Sequence, residues 1–161
     1  MTQEDKELLL KDLSARLPYG VICYWRIGSE LTLNLTEYNG LLTCLNKVNI
    51  EGSNEFYWDC YFDCNDSNGN SFQNEDVQID IVKPYLRPMS SMTTEERQFL
   101  LKFGTVGMDE NDKVFDVYPY GIERTMSVID FLNACHFDYR GLIEKGLALE
   151  APEGMYNLNE K

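Results

Sequence analysis

The spacing of apolar residues changes rhythm along the stretch 83–103, KPYLRPMSSMTTEERQFLLKF. Upstream, apolar and polar positions alternate as they do in half-buried strands; downstream, helical signals dominate. Pro84 and Pro88 are expected to stop the last strand, because proline has no N–H to give a ladder. Thr93 then opens a helix. Glu96, three residues on, completes a capping box in which each side chain satisfies the other's backbone donor.

Ahead of the alternating region, residues 3–17 predict a helix. Leu9, Leu13 and Leu17 fall at i, i+4 and i+8, charged residues take the other faces, and Pro18 and Gly20 end it. A meander follows. The apolar run 21–27 contains Trp25 and closes at Gly28-Ser29; Leu31, Leu33 and Leu35 then alternate with Thr32, Asn34 and Thr36. Asn39-Gly40 predicts a hairpin turn, since both central positions of that turn need positive φ, with a return strand over 41–49. In the fourth strand, 55–63, Phe56, Trp58, Cys60 and Phe62 share the core face, while Tyr57, Asp59, Tyr61 and Asp63 share the other. Residues 64–75 predict a polar loop, and Val77, Ile79 and Ile81 a fifth strand.

Beyond the second helix, Gly104 is placed to terminate it, and a turn at 107–113 joins short strands near Thr105 and at 114–118. Ser127 with Asp130 predicts a helix running to Ala134, and Asp138 caps a last helix ending at Lys145-Gly146. The fold class expected is α+β: an N-terminal helix packed on a bent antiparallel sheet of about five strands, then a C-terminal helical section with a short hairpin. A small barrel is the alternative closure of that sheet. One domain spans 1–161, with a helix-plus-meander half at 1–82 and a mainly helical half at 83–161.

Composition adds limits. With 43% apolar and 12% aromatic residues over 161 positions, the chain can bury a core without staples. No apolar run reaches 18 residues, so no membrane span is expected. The N-terminus lacks the basic start and apolar core of an export signal, and five cysteines without a CxxC pair read as reduced thiols; a cytoplasmic location is expected. The formal charge is −13, with 14 acids against 5 bases in residues 1–80 and 13 against 9 in 81–161. That field repels phosphates, so direct nucleic-acid binding is not expected, and it steers basic protein partners instead.

Catalytic and metal chemistry find little support. Read as a calcium loop, 64–75 puts Asp66, Asn68, Gly69 and Glu75 at ligand-like positions. Its first position, however, is Cys64, and its flanks are strands rather than helices. Cys60, Cys64, Cys135 and His136 lack zinc spacing, so no metal and no cofactor is expected. The sole histidine, His136, cannot easily form a dyad with Cys135, because adjacent helical residues diverge by about 100°. A histidine beside a helix end reads as a cap or a packed ring. Asp59 and Asp63 lie roughly 13 Å apart along a strand, too far for a glycosidase pair. No Walker A, G-x-G-x-x-G or G-x-S-x-G motif occurs, so no catalytic residue is assigned and no enzyme is expected.

Two sets of residues remain as binding candidates. The alternating Tyr57, Asp59, Tyr61 and Asp63 form a phenol-and-carboxylate face suited to a protein partner, a basic one in view of the charge. Tyr85, Arg87, Tyr139 and Arg140 combine arginine with tyrosine, which can hold a phosphate and stack a base in a pocket between sheet and C-terminal helices. The expected function is therefore a non-enzymatic acidic interaction module, with a small nucleotide-like ligand as the alternative.

The phrases KPYLRPMSSMT (83–93) and FDYRGLIEKGLALEAPEGMY (137–156) resemble segments of an uncharacterised protein family of gut Bacteroides and their phages or prophage-like elements. The resemblance covers about 31 residues and carries no activity. It implies a bacterial cytoplasm and a mobile-element accessory role. That family tends to place a second histidine before the FDYRG phrase where this chain has Cys135, so a role needing two histidines is not implied here.

Overall fold

A computed structural model describes residues 1–29, 34–53, 55–65 and 69–156. The chain forms two compact units, Met1–Tyr85 and Leu86–Lys161. The fold is α+β. Among the described residues no helix is long and apolar enough to cross a membrane.

The first unit begins with α1, Gln3–Arg16. Its start carries a capping box that the leucine spacing did not reveal: the Asp5 N–H donates to Thr2 Oγ1 (3.1 Å), and the Thr2 N–H to Asp5 Oδ2 (3.2 Å). A single helical turn, Leu17–Tyr19, ends at Gly20, whose φ of 75° is left-handed. The helix buries Leu9 and Leu13 with Asp12 and Arg16. Arg16 grips Asp12 through two hydrogen bonds of 2.7 and 3.0 Å, with both side chains fully buried.

Five further segments pair antiparallel with order β4-β3-β2-β1-β5: β1 Ile22–Ser29, β2 Asn34–Asn49, β3 Phe56–Asn65, β4 Ser71–Gln78 and β5 Lys83–Leu86. The sheet is open at β4, not a barrel. Its core holds Trp25 stacked on Phe62 (4.1 Å) among Val21, Cys23, Leu42, Cys60, Cys64, Val77 and Val82. Leu31, Thr32 and Leu33 of the expected alternation lie outside the described residues.

Several local expectations give way to tertiary structure. Asn39-Gly40 is no turn: β2 runs through it, pairing Asn39 with Tyr24 and Gly40 with Cys23. Gly40 is needed for close approach instead, since a Cβ there would stand 2.8 Å from Cys64 Sγ and 3.0 Å from the Asp63 carbonyl oxygen. Ser71–Gln78, expected to be largely loop, is strand β4, and Ile79–Ile81 is a single helical turn rather than strand. Pro84 does not end the strand but sits near the start of short β5, opposite Cys23.

In the second unit, α2 spans Thr94–Leu100 behind the expected Thr93/Glu96 box, with bonds of 2.8 and 3.2 Å. The hairpin pairs β6, Gly104–Met108, with β7, Val114–Pro119. Gly104 is therefore a strand residue rather than a helix terminator; a Cβ there would collide with the Tyr118 carbonyl oxygen of the opposite strand. Helix α3 spans Ile122–Ala134 from its cap Gly121 (φ 88°), six residues before the expected Ser127 cap, which falls mid-helix. His136, at φ 57°, ends it: the Phe137 N–H donates to the Leu132 carbonyl and the His136 N–H to that of Asn133, the Schellman pattern.

No α-helix follows. Asp138 still caps as expected, accepting from the N–H groups of Leu142 and Ile143 at 2.8 Å each, but the segment stays a series of turns ending at left-handed Gly146. The last strand, β8 (Leu149–Glu150), leads to Ala151, whose N–H donates to the Leu86 carbonyl at 2.8 Å. Met89, Met92, Leu100, Val114, Val128 and Leu132 form the core with Cys135 and Phe137.

Candidate functional site

The Tyr/Asp face of β3 does not form a uniform ladder. Tyr57 is exposed, and Asp63 accepts a hydrogen bond from Gln73 (3.1 Å). The Tyr61 hydroxyl is turned to Asp76 (3.1 Å), and Asp59 is buried at 2% exposure. Burial pushes the Asp59 carboxyl above its ordinary value, with the neighbouring Asp76 charge adding to it. A raised carboxyl pKa means the folded state holds its proton more tightly than the unfolded chain does, so ionisation opposes folding. Stability from this group is highest below the unfolded value and is lost as pH rises through the folded one. Asp59→Asn is thus expected to raise the melting temperature at pH 7, with the difference closing by about pH 3; thermal melts across that range check it.

On the opposite face, Cys64, Phe62 and Cys60 are buried, Trp58 is half-buried and Phe56 is exposed, against the expectation that Phe56 belongs to the core. The apolar face therefore runs out from the core into a groove of about 590 Å³ lined by Leu10, Ile50, Phe56, Trp58 and, at its edge, Tyr57. A bulge between Leu42 and Cys44 shifts the parity of β2 and places Lys47 opposite Trp58, with its ammonium 3.7 Å from the Phe56 ring centre. The rim carries both signs, Lys6 and Lys47 against Glu7, Glu55 and Asp80, so the groove selects no charge.

The four arginine-and-tyrosine candidates are placed differently from one another. Tyr85 belongs to the first unit, where its hydroxyl donates to Asn39 (3.0 Å). Tyr139 donates to Asn133 (3.0 Å), and the Arg140 guanidinium lies 4.5 Å from the Tyr139 ring centre. Arg87 holds Glu96 through both of its terminal nitrogens, at 2.7 and 3.0 Å, and lies 4.3 Å from the Phe137 ring centre. Its backbone N–H and carbonyl also bond His136 and Asp138, both at 2.8 Å. Burial alone would raise the Glu96 carboxyl. The Arg87 guanidinium and the Thr93 N–H outweigh that and hold it below its ordinary value.

Arg87 and Glu96 form one wall of a cleft of about 970 Å³ in the second unit. Exposed Glu95, Glu150 and Glu153 also line it, and none has a basic partner within 4 Å among the described residues. With Arg87 committed to Glu96, the cleft keeps three uncompensated negative charges. Pro88, Ala151 and Pro152 supply apolar surface between them. Tyr156 closes one side, its ring stacked on the buried His136 ring at 3.8 Å. The sequence did not single out these residues: in so acidic a chain a glutamate carries no signal of its own, and Tyr156 stands in a turn without periodicity.

Burial pushes the Cys135 thiol up to about 11, with the Glu96 charge adding to it, and burial raises Cys60 to about 12. Both are thiols, not thiolates, at neutral pH. Cys64, the first position of the calcium-loop reading, points into the core, and Asp66 and Asn68 lie outside the described residues. Among the described residues no three His, Cys, Asp or Glu side chains converge to hold a metal. Elsewhere in this unit Ile122, Met126 and Ile129 present an apolar stripe to solvent at i, i+4 and i+7 of α3.

Comparison with protein-family models, curated proteins and solved structures gives no significant match.

Proposed function

We propose that this protein is a non-enzymatic interaction module that grips a basic segment of a partner protein in the acidic cleft of its second unit. One observation carries the reading: Glu95, Glu150 and Glu153 surround a cleft where Arg87, the one cation lining it among the described residues, is already neutralised by Glu96. Uncompensated carboxylates at a concave surface concentrate the field and steer cationic partners. The apolar walls suit the aliphatic stems of lysine and arginine, whose charged ends reach the rim. A phosphate would meet the opposite sign there, with no uncommitted cation among the described lining residues to receive it. The resemblance of 83–93 and 137–156 to phage and prophage-like proteins extends the proposal to a cytoplasmic accessory of a mobile element, acting on a host protein.

Fluorescence anisotropy with a labelled basic peptide, read against an acidic peptide of equal length, tests it. Salt-sensitive binding of the basic peptide alone is expected. Charge reversal by Glu150→Lys with Glu153→Lys is expected to weaken it by at least about tenfold while the circular dichroism stays that of the parent. Unchanged affinity in that variant overturns the proposal.

A further inference from the structure

We infer that α3 carries a docking face of its own, for an amphipathic helix of a partner protein whose apolar stripe is edged by lysine or arginine; it does not depend on the acidic cleft. Ile122, Met126 and Ile129 stand at i, i+4 and i+7 and are 88%, 68% and 37% exposed. At about 100° per residue they fall within one sector of the helix and form a single stripe along two turns. The core of the unit does not use them, since Val128 and Leu132 take a different face of the same helix. Single exposed apolar residues are ordinary. Three in helical register offer a surface on which another helix can pack ridge into groove.

Charge decides what covers the stripe. Glu123 and Asp130, themselves at i and i+7, run along one margin of it, about 80 to 100° round the helix from Ile122. Both are exposed, and neither has a basic partner within 4 Å among the described residues. Arg124, the one cation of the helix, falls on another side, with its guanidinium 5.9 Å from the Tyr120 ring centre. A second copy of α3 fits poorly. When two identical helices pack antiparallel through the same stripe, equivalent margins face each other, so each copy would set its two carboxylates against the other's. A helix with a basic margin instead brings a cation to each carboxylate while its apolar residues cover Ile122, Met126 and Ile129.

Three labelled helical peptides test this by anisotropy on the full chain. One has leucine at i, i+4 and i+7 with lysine along one margin; one has glutamate in place of those lysines; one keeps the lysines but has alanine in place of the leucines. The first is expected to bind, less tightly as salt rises, and the other two at least about tenfold more weakly. Ile122→Ser with Met126→Ser, at the two most exposed positions of the stripe, should weaken the first peptide by at least about tenfold. Glu123→Lys with Asp130→Lys should transfer the preference to the glutamate peptide, a gain that a misfolded variant could not give. Equal binding of the leucine and alanine peptides, or unchanged affinity of the first in Ile122→Ser with Met126→Ser, overturns the α3 face and leaves the acidic-cleft reading standing. Absence of binding by the first peptide overturns it too. A dimer in native mass spectrometry that Ile122→Ser with Met126→Ser dissociates overturns it in favour of a second copy.

Discussion

Asp12→Ala is expected to destabilise the first unit by about 4 kcal/mol, a loss typical of breaking a fully buried ion pair. Both partners have zero side-chain exposure, and the two hydrogen bonds of 2.7 and 3.0 Å tie one carboxylate to one guanidinium. Removing the carboxylate leaves the Arg16 charge inside the core beside Leu13 and Cys23 without that compensation. The penalty comes from a buried charge that loses this carboxylate rather than from the pair's own strength. A second variant separates these: Asp12→Leu with Arg16→Met replaces the pair by apolar volume and should recover most of the stability. Both tryptophans, Trp25 and Trp58, belong to this unit, so urea unfolding followed by tryptophan fluorescence reports on it. The Asp12→Ala midpoint should fall by roughly 2 M urea.

Leucine spacing identified α1, because an i, i+4, i+8 stripe maps directly onto one buried helix face, and Leu9 and Leu13 fill it. The Thr93/Glu96 box was equally legible, since both of its hydrogen bonds are local in sequence. Misreadings arose where a residue serves a distant neighbour. Gly40 looks like a turn residue until Cys64, on another strand, is seen to require the missing side chain. Gly104 looks like a helix terminator until the carbonyl of Tyr118 is placed against it. Lys47 reaches the Phe56 side of β2 only because of a bulge at Leu42/Cys44 that no composition marks. The cleft is the extreme case: Glu95 stands on α2, Glu150 on β8 and Tyr156 after it, and nothing in their spacing announces that they line one surface. Arg87 was visible as a residue, but its pairing with Glu96 was not, because Glu96 had already been assigned to a helix cap.

Arg87→Ala is expected to destabilise the second unit by about 3 kcal/mol, less than the fully buried pair because its side chain is 17% exposed and Glu96 9%. Three supports go at once: both hydrogen bonds to Glu96, the cover on the Phe137 ring and the bond to the Ser91 carbonyl. This unit has no tryptophan, so amide hydrogen exchange on α3 is the suitable measurement, and a loss of this size lowers protection there about a hundredfold. The pH dependence has a definite sign. Glu96 is held below its ordinary carboxyl value, so its contribution is present above the unfolded value and disappears as pH falls through the folded one. The parent and Arg87→Ala should therefore converge in acid and differ fully at neutral pH. The same variant divides the two binding readings. Freed of Arg87, Glu96 adds a fourth uncompensated charge to the cleft, so at a temperature where the variant remains folded a basic peptide should bind at least as tightly as to the parent. A nucleotide-like ligand held by this guanidinium would lose its anchor. Weaker binding of the basic peptide by folded Arg87→Ala would sink the acidic-cleft reading, because no charge argument permits it.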